Sequence, residues 1–306
     1  MKISRQRYLF DGPGTYTIDL AKSCSLQERK LHRQGQIFTV AGGLIKDSNN
    51  ETTMRFNTAP DTWPMRTAWK RAKRMWDKHI KEGTEGMPGD IKPRYHDFKV
   101  YLNQFHGSSR VPVDAAGGDI TPAGEWVYSQ YHSEDIDWTN SNLTANPNRE
   151  ADSFTCMLVG PHHEQANPNG TGTLYTRVSA IQSWFDTRPL QDISGTPLLP
   201  AAIAADPLLN LFDEADTVDE IVTSLNNDND QPPYDEDMAF GNGNSYAGHA
   251  NLQRVAMAAT QSGAGAIASV SGFKAMCGLV QVHITQEAGS GQVELLIDVV
   301  TKGEKI

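Results

Sequence analysis

GFKAMCGLVQVHITQEAGSGQVELLIDVV, residues 272–300, is the stretch on which the fold turns. Within it, Ala275–Thr285 and Gln292–Val300 are short apolar runs, partly alternating with polar residues and rich in Val, Leu and Ile. That is the pattern of strands, not of an amphipathic helix. The Gly289-Ser290-Gly291 between them predicts a hairpin that closes the chain. Working outward, Thr15–Leu20, Gln36–Lys46, Thr52–Thr58, Asp97–Asn103, Glu125–Tyr131 and Phe154–Val159 carry the same signature. Eight strand candidates in 306 residues predict a mainly β protein. The gaps are unequal, and those over 104–124, 132–153 and 160–274 are long. Short even hairpins would suit an up-and-down barrel. Long uneven insertions suit an eight-stranded jelly roll, an antiparallel β-sandwich of two four-stranded sheets with long loops and a few short helices. No low-complexity linker interrupts the chain, so residues 1–306 read as a single domain.

Two helices are expected. One spans roughly Pro64–Glu82, with Pro64 in its first turn and Ala68, Trp69, Ala72, Trp76 and Ile80 on one stripe. Arg66, Lys70, Lys73, Arg74, Lys78 and Lys81 cover much of the remainder. The other spans Thr217–Leu225, opened by a Thr217-x-x-Glu220 capping box.

Charge is divided along the chain. Residues 1–110 hold 20 Lys+Arg and 11 Asp+Glu, a balance of +9; residues 111–306 hold 7 and 26, a balance of −19. The sum is the net −10 of the whole chain. Such a split predicts two electrically different faces, one able to meet a polyanion. A solvated helix with a buried Trp stripe is the plainer reading of Pro64–Glu82, and the charge split brings the nucleic-acid reading level with it.

Other chemistry finds little footing. The N-terminus lacks the apolar core of a secretory signal, and no run approaches the ~20 apolar residues that cross a bilayer. Cys24, Cys156 and Cys277 are far apart, without a CxxC, and are expected to be buried free thiols. His162-His163-Glu164 has no helical i, i+4 partner and reads as a solvated loop. Asp228–Asp237 is dense in oxygen ligands but lacks the glycine and glutamate spacing of an EF-hand. Its Pro232-Pro233 makes it stiff, so Asp228, Asp230, Tyr234 and Asp235 are expected at a subunit contact. No nucleophile elbow, Walker loop or dinucleotide fingerprint is present, and neither catalysis, a metal nor a cofactor is expected.

Several stretches together resemble the capsid proteins of environmental circular single-stranded DNA viruses, relatives of the circoviruses. They are NTAPDTWPMRTAWKRAKRMW (57–76), YHDFKVYLN (95–103), DPLLNLFDEAD (206–216), NDNDQPPYDED (227–237) and GFKAMCGLVQVHI (272–284). The resemblance implies a viral jelly roll that self-assembles into an icosahedral shell around a single-stranded DNA genome, in the virion and, during assembly, in the host cell, with no membrane partner. Circovirus-like capsids usually begin with a long Arg-rich arm, whereas here only Lys2, Arg5 and Arg7 mark the start. The genome-facing charge is therefore expected from folded parts, with Arg66, Lys70, Lys73, Arg74, Lys78 and Lys81 lining the interior. The competing expectations are a jelly-roll binding module, either a lectin or a nucleic-acid-binding oligomer, and behind it a cupin-type enzyme, for which no strand offers an HxH spacing.

Overall fold

A computed structural model describes residues 2–47, 51–84, 95–121, 124–133, 152–166, 173–185, 252–261, 266–286 and 291–306. All of them belong to one compact unit, residues 1–185 with 238–306. The expected helix at Thr217–Leu225 and the segment Asp228–Asp237 lie outside the described residues.

The protein is mainly β, and most of its strand pairs are antiparallel. Strands β1 (Ile3–Asp11), β3 (Gln36–Asp47), β11 (Ala266–Val270), β12 (Phe273–Met276) and β14 (Gln292–Lys305) form one sheet in the order β1-β14-β3-β11, with β12 also on β3. Strands β2 (Gly14–Asp19), β4 (Thr52–Thr58), β5 (Ser109–Arg110), β10 (Gln253–Ala259) and β13 (Leu279–Gln286) form a second sheet, β10-β4-β13-β2-β5. Each sheet thus has five strands, not the expected four. The fifth strand is minor in both. β11 and β12 follow one another along β3, facing Gly43–Asp47 and Ile37–Val40, as one interrupted strand. β5 adds two residues in parallel to β2.

The two sheets share a core. Tyr8, Phe10, Phe38, Val40 and Leu295 from the first meet Ile18, Met54, Phe56, Val280 and Val282 from the second, all at most 2% exposed. Phe56 and Phe273 bring their rings to 5.7 Å from opposite sheets. Burial of these side chains, each contributing about 1.5–3 kcal/mol, is what holds the sandwich closed.

The closing hairpin does not form. β13 pairs with β2 and β4, whereas β14 pairs with β1 and β3, so the chain crosses from one sheet to the other between them. Crossing places both apolar strands between two neighbours; a hairpin edge would leave one side of each unpaired. The expected strand Ala275–Thr285 is likewise two strands. Cys277 (φ 56°) and Gly278 (φ 70°) turn the chain through the left-handed region, carrying it from β12 in the first sheet to β13 in the second.

Between β4 and β10 lie residues 59–252, the large insertion of the fold. Its described part holds helix α2 (Trp63–Gly83), helix α3 (Ala180–Phe185) and a third sheet. That sheet is β6 (Gln130–Ser133), β7 (Asp152–Met157), β9 (Thr173–Ser179) and β8 (His163–Ala166), in that order. A second core forms where Met65, Trp69 and Trp76 of α2 meet Phe98, Val100, Leu102, Leu158 and Ile181. It reaches the sandwich through Met276, Cys277 and Leu279.

Asp97–Asn103 is not a ladder strand. Phe98, Val100 and Leu102 do alternate inward, but only Tyr101 bridges a strand, at Met157. Side chains satisfy the neighbouring amides: Lys99 N–H donates to Ser129 Oγ, Val100 N–H to Gln34 Oε1 and Leu102 N–H to His106 Nδ1. Of Glu125–Tyr131, only the end at Gln130 enters a strand. A short helix, α1 (Leu20–Glu28), follows β2; Asp19 caps it and Arg29 ends it at φ 51°.

Candidate nucleic-acid interface

Helix α2 begins where expected. Thr62 is its N-cap, accepting from Met65 N–H, and Pro64 sits in the first turn. The apolar stripe is anchored by rings: Trp69 lies 5.9 Å and Trp76 5.4 Å from Phe98, and Trp76 stacks on His96 at 4.4 Å. Tyr131 Oη donates to the Ala72 carbonyl at 2.9 Å. These contacts orient the helix, so the face opposite the stripe is held toward solvent.

The six helix cations expected from sequence to face the genome divide by environment. Arg66 is engaged, with Nε 2.6 Å from Asp61 and Nη1 3.1 Å from Glu304 of β14. The pairing raises the guanidinium pKa further and lowers those of both carboxyls. Lys73 is half-buried, its ammonium 5.7 Å from the centre of the Trp69 ring. Lys78 is exposed and 3.4 Å from Glu82. Lys70, Arg74 and Lys81 are exposed and have no ion-pair partner among the described residues. The free charge therefore runs along Lys70, Arg74 and Lys81, while Arg66 pins the start of the helix to the last strand.

A cleft of about 860 Å³ opens beside α2. Six cations line it, Lys2, Lys30, Arg33, Lys73, Lys302 and Lys305, against the carboxylates of Glu28 and Asp97. Lys2 lies 3.3 Å from Glu28, and Arg33 lies 3.5 Å from Asp97. Trp69 and Phe98 supply aromatic lining. Only Lys73 belongs to the set expected from sequence. The others come from the start of β1 and the loop after α1, near the beginning of the sequence, and from the far end of β14, more than two hundred residues on. No spacing rule could have joined them; the basic TKGEK beyond Val300, in an otherwise acidic stretch, was the available hint.

Elsewhere the polar clusters are structural. His106 Nε2 is 2.9 Å from Ser109 Oγ, which is the reach of a nucleophile and its base. However, His106 Nδ1 accepts the Leu102 N–H at 3.0 Å, so Nε2 carries the proton and donates. Burial pushes the imidazole pKa down to about 3, and Ser109 has no base there. Arg177, 4.1 Å over the Tyr101 ring, donates to the carbonyls of Asn103, Gln104 and His106 and clamps this turn. His162 is not in a solvated loop: its Nδ1 accepts the Ser179 N–H at 3.0 Å, and His163 stands opposite Arg177 in the β8–β9 ladder. Cys24, Cys156 and Cys277 are buried free thiols, and burial pushes Cys24 and Cys156 up to about 12. Among the described residues no three His, Cys, Asp or Glu converge as metal ligands, and no helix is long and apolar enough to cross a membrane. Compared with known protein families, curated proteins and solved structures, the chain matches none.

Proposed function

We propose that this chain is a viral coat subunit whose sandwich is a jelly roll, assembling as identical copies into an icosahedral shell around a single-stranded DNA genome. The observation that carries the reading is strand order. Counting β11 and β12 as one, the sandwich has eight main strands, ordered first-eighth-third-sixth in one sheet and fifth-fourth-seventh-second in the other. Two interleaved Greek keys produce this order, the arrangement of viral capsid jelly rolls. Lectins and cupins share it, so α2 supplies the second support: a rigidly anchored helix that presents Lys70, Arg74 and Lys81 without an ion-pair partner among the described residues suits a phosphate backbone, not a sugar. The basic third then faces the genome, in the virion and in the host cell during assembly.

Negative-stain microscopy of the purified protein tests the class. Uniform closed shells are expected, and a monodisperse small oligomer would overturn the coat reading in favour of a nucleic-acid-binding module. Replacing Lys70, Lys73 and Arg74 by Gln is expected to leave shells intact and lower the nucleic acid recovered per particle. Unchanged nucleic acid content would remove α2 from the genome-facing surface.

A further inference from the structure

The cleft beside α2 has more charge than its own carboxylates neutralise. Lys2 and Arg33 are spent on Glu28 and Asp97. Lys30, Lys73, Lys302 and Lys305 have no ion-pair partner among the described residues, and Lys30, Lys302 and Lys305 are exposed. A second feature is independent of charge. The Trp69 indole lines the cleft while only 4% exposed, and its Nε1–H, a donor with no acceptor capacity, has no hydrogen-bond partner among the described residues. Buried donors are nearly always satisfied, and this orphaned one sits on the indole that lines the cleft.

We propose that this cleft is the principal seat for a strand of single-stranded nucleic acid. Phosphates lie among Lys30, Lys73, Lys302 and Lys305, and a small shift of the indole on binding lets one acceptor oxygen of the strand take the Trp69 Nε1–H. An occupant needs several negative charges and an oxygen acceptor together, which a phosphodiester supplies. A polymer fits better than a single phosphate group because the cationic surface continues out of the cleft. From Lys73, Lys70 lies one turn back on the same helix and Arg74 is adjacent, both exposed and without an ion-pair partner among the described residues. The strand is thus led from the cleft onto the helix. This deepens the nucleic-acid part of the proposed function and moves its centre from α2 to a site that the two ends of the chain build together.

The test measures binding of a fluorescently labelled 20-nucleotide oligo(dT) by anisotropy across a salt series, for wild type and three variants. The variants are Lys30→Gln/Lys302→Gln/Lys305→Gln, Lys70→Gln/Arg74→Gln and Trp69→Phe, each checked by thermal melting. The cleft triple variant is expected to bind at least about tenfold more weakly at low salt. Its log–log salt slope should shrink by about two, at roughly 0.7 per lost phosphate contact. The helix double variant should lose less. Trp69→Phe keeps an aromatic body and removes the donor, so affinity should fall several-fold with the slope unchanged. Wild-type binding by the cleft triple variant overturns the proposal, as does binding of dTTP as tightly as the oligonucleotide. Microscopy of the same samples keeps the two readings apart: shells with an unaffected triple variant sink only the cleft, and its weakened binding without wild-type shells sinks only the coat.

Discussion

Asp19 shows how much one buried side chain can organise. It is fully buried at the N-cap of α1 and accepts three hydrogen bonds, from Lys22 N–H (3.1 Å), Gln34 Nε2 (2.8 Å) and Trp126 Nε1 (3.1 Å). It thereby joins the helix, the approach to β3 and the insertion. Burial nonetheless raises its pKa, outweighing the three donors. Asp19→Ala removes a cap worth about 1 kcal/mol and strands two side-chain donors at about 1–3 kcal/mol each. A loss of roughly 3–7 kcal/mol is expected in urea unfolding. A loss under about 1 kcal/mol would show that the three contacts are incidental. His106 makes the complementary case for protons. Its folded pKa near 3 lies below the ordinary value of 6.5, so the folded state refuses a proton that the unfolded chain accepts. Its contribution is intact above pH 6.5 and lost progressively as pH falls toward 3, at up to about 1.4 kcal/mol per pH unit. Stability measured at pH 7, 6, 5 and 4 should fall accordingly. His106→Gln, though less stable at pH 7, should show a shallower slope over that window; an equal slope would place the titration elsewhere.

At the scale of elements, the corner Cys277–Gly278 decides which sheet the chain enters next. A Cβ on Gly278 would stand 2.8 Å from the Phe38 ring and 3.2 Å from Ala21 N, at φ +70°. Phe38 is locked in the core, so Gly278→Ala is expected to cost about 2–3 kcal/mol through overpacking and left-handed strain. A thermal midpoint within 2 °C of wild type would mean that the corner can relax. This corner also explains what the sequence could and could not disclose. AMCGLVQV reads as one apolar run, and nothing in apolarity marks a break inside it. β1 escaped notice for the opposite reason: its inward positions include Ser4 and Gln6 beside Tyr8 and Phe10, so polar side chains blur the alternation. α2 was legible almost to the residue because a Pro, a cap and a Trp stripe coincide. Asp97–Asn103 carries the alternation of a strand, and Phe98, Val100 and Leu102 are buried, but its amides go to side-chain acceptors, which leave no trace in spacing.

Across the whole molecule, the division of charge is partly stitched closed. Arg5 meets Asp298 at 2.7 Å, Arg7 meets Glu294 at 2.5 Å and Arg66 meets Glu304 at 3.1 Å, each joining the basic first third to the acidic remainder. What remains for a polyanion is the surplus on α2 and in the cleft. The pairs lower the pKa of Asp61, Asp298 and Glu304. Their support is therefore present above the ordinary carboxylate range and is lost as pH falls below about 4, through the lowered values. Because these groups are partly exposed to solvent, the effect is small and screened. Arg5→Gln should lower the urea midpoint slightly at pH 7 and not at all in 1 M NaCl; an equal deficit in high salt would point to packing in place of charge.

The interleaving of first and last strands also has a consequence for synthesis. β14 sits between β1 and β3, and β13 sits between β2 and β4, so each early strand lacks its inner neighbour until the final thirty or so residues exist. About 220 residues separate the end of β4 from the start of β13, and at about 5–20 residues per second a ribosome takes roughly 11–44 s to cross them. Throughout that interval β1 to β4 wait with unpaired edges, and neither sheet can close. The nascent chain must pass this period unfolded or attended by a chaperone, and a chain released before β13 has no sandwich to form.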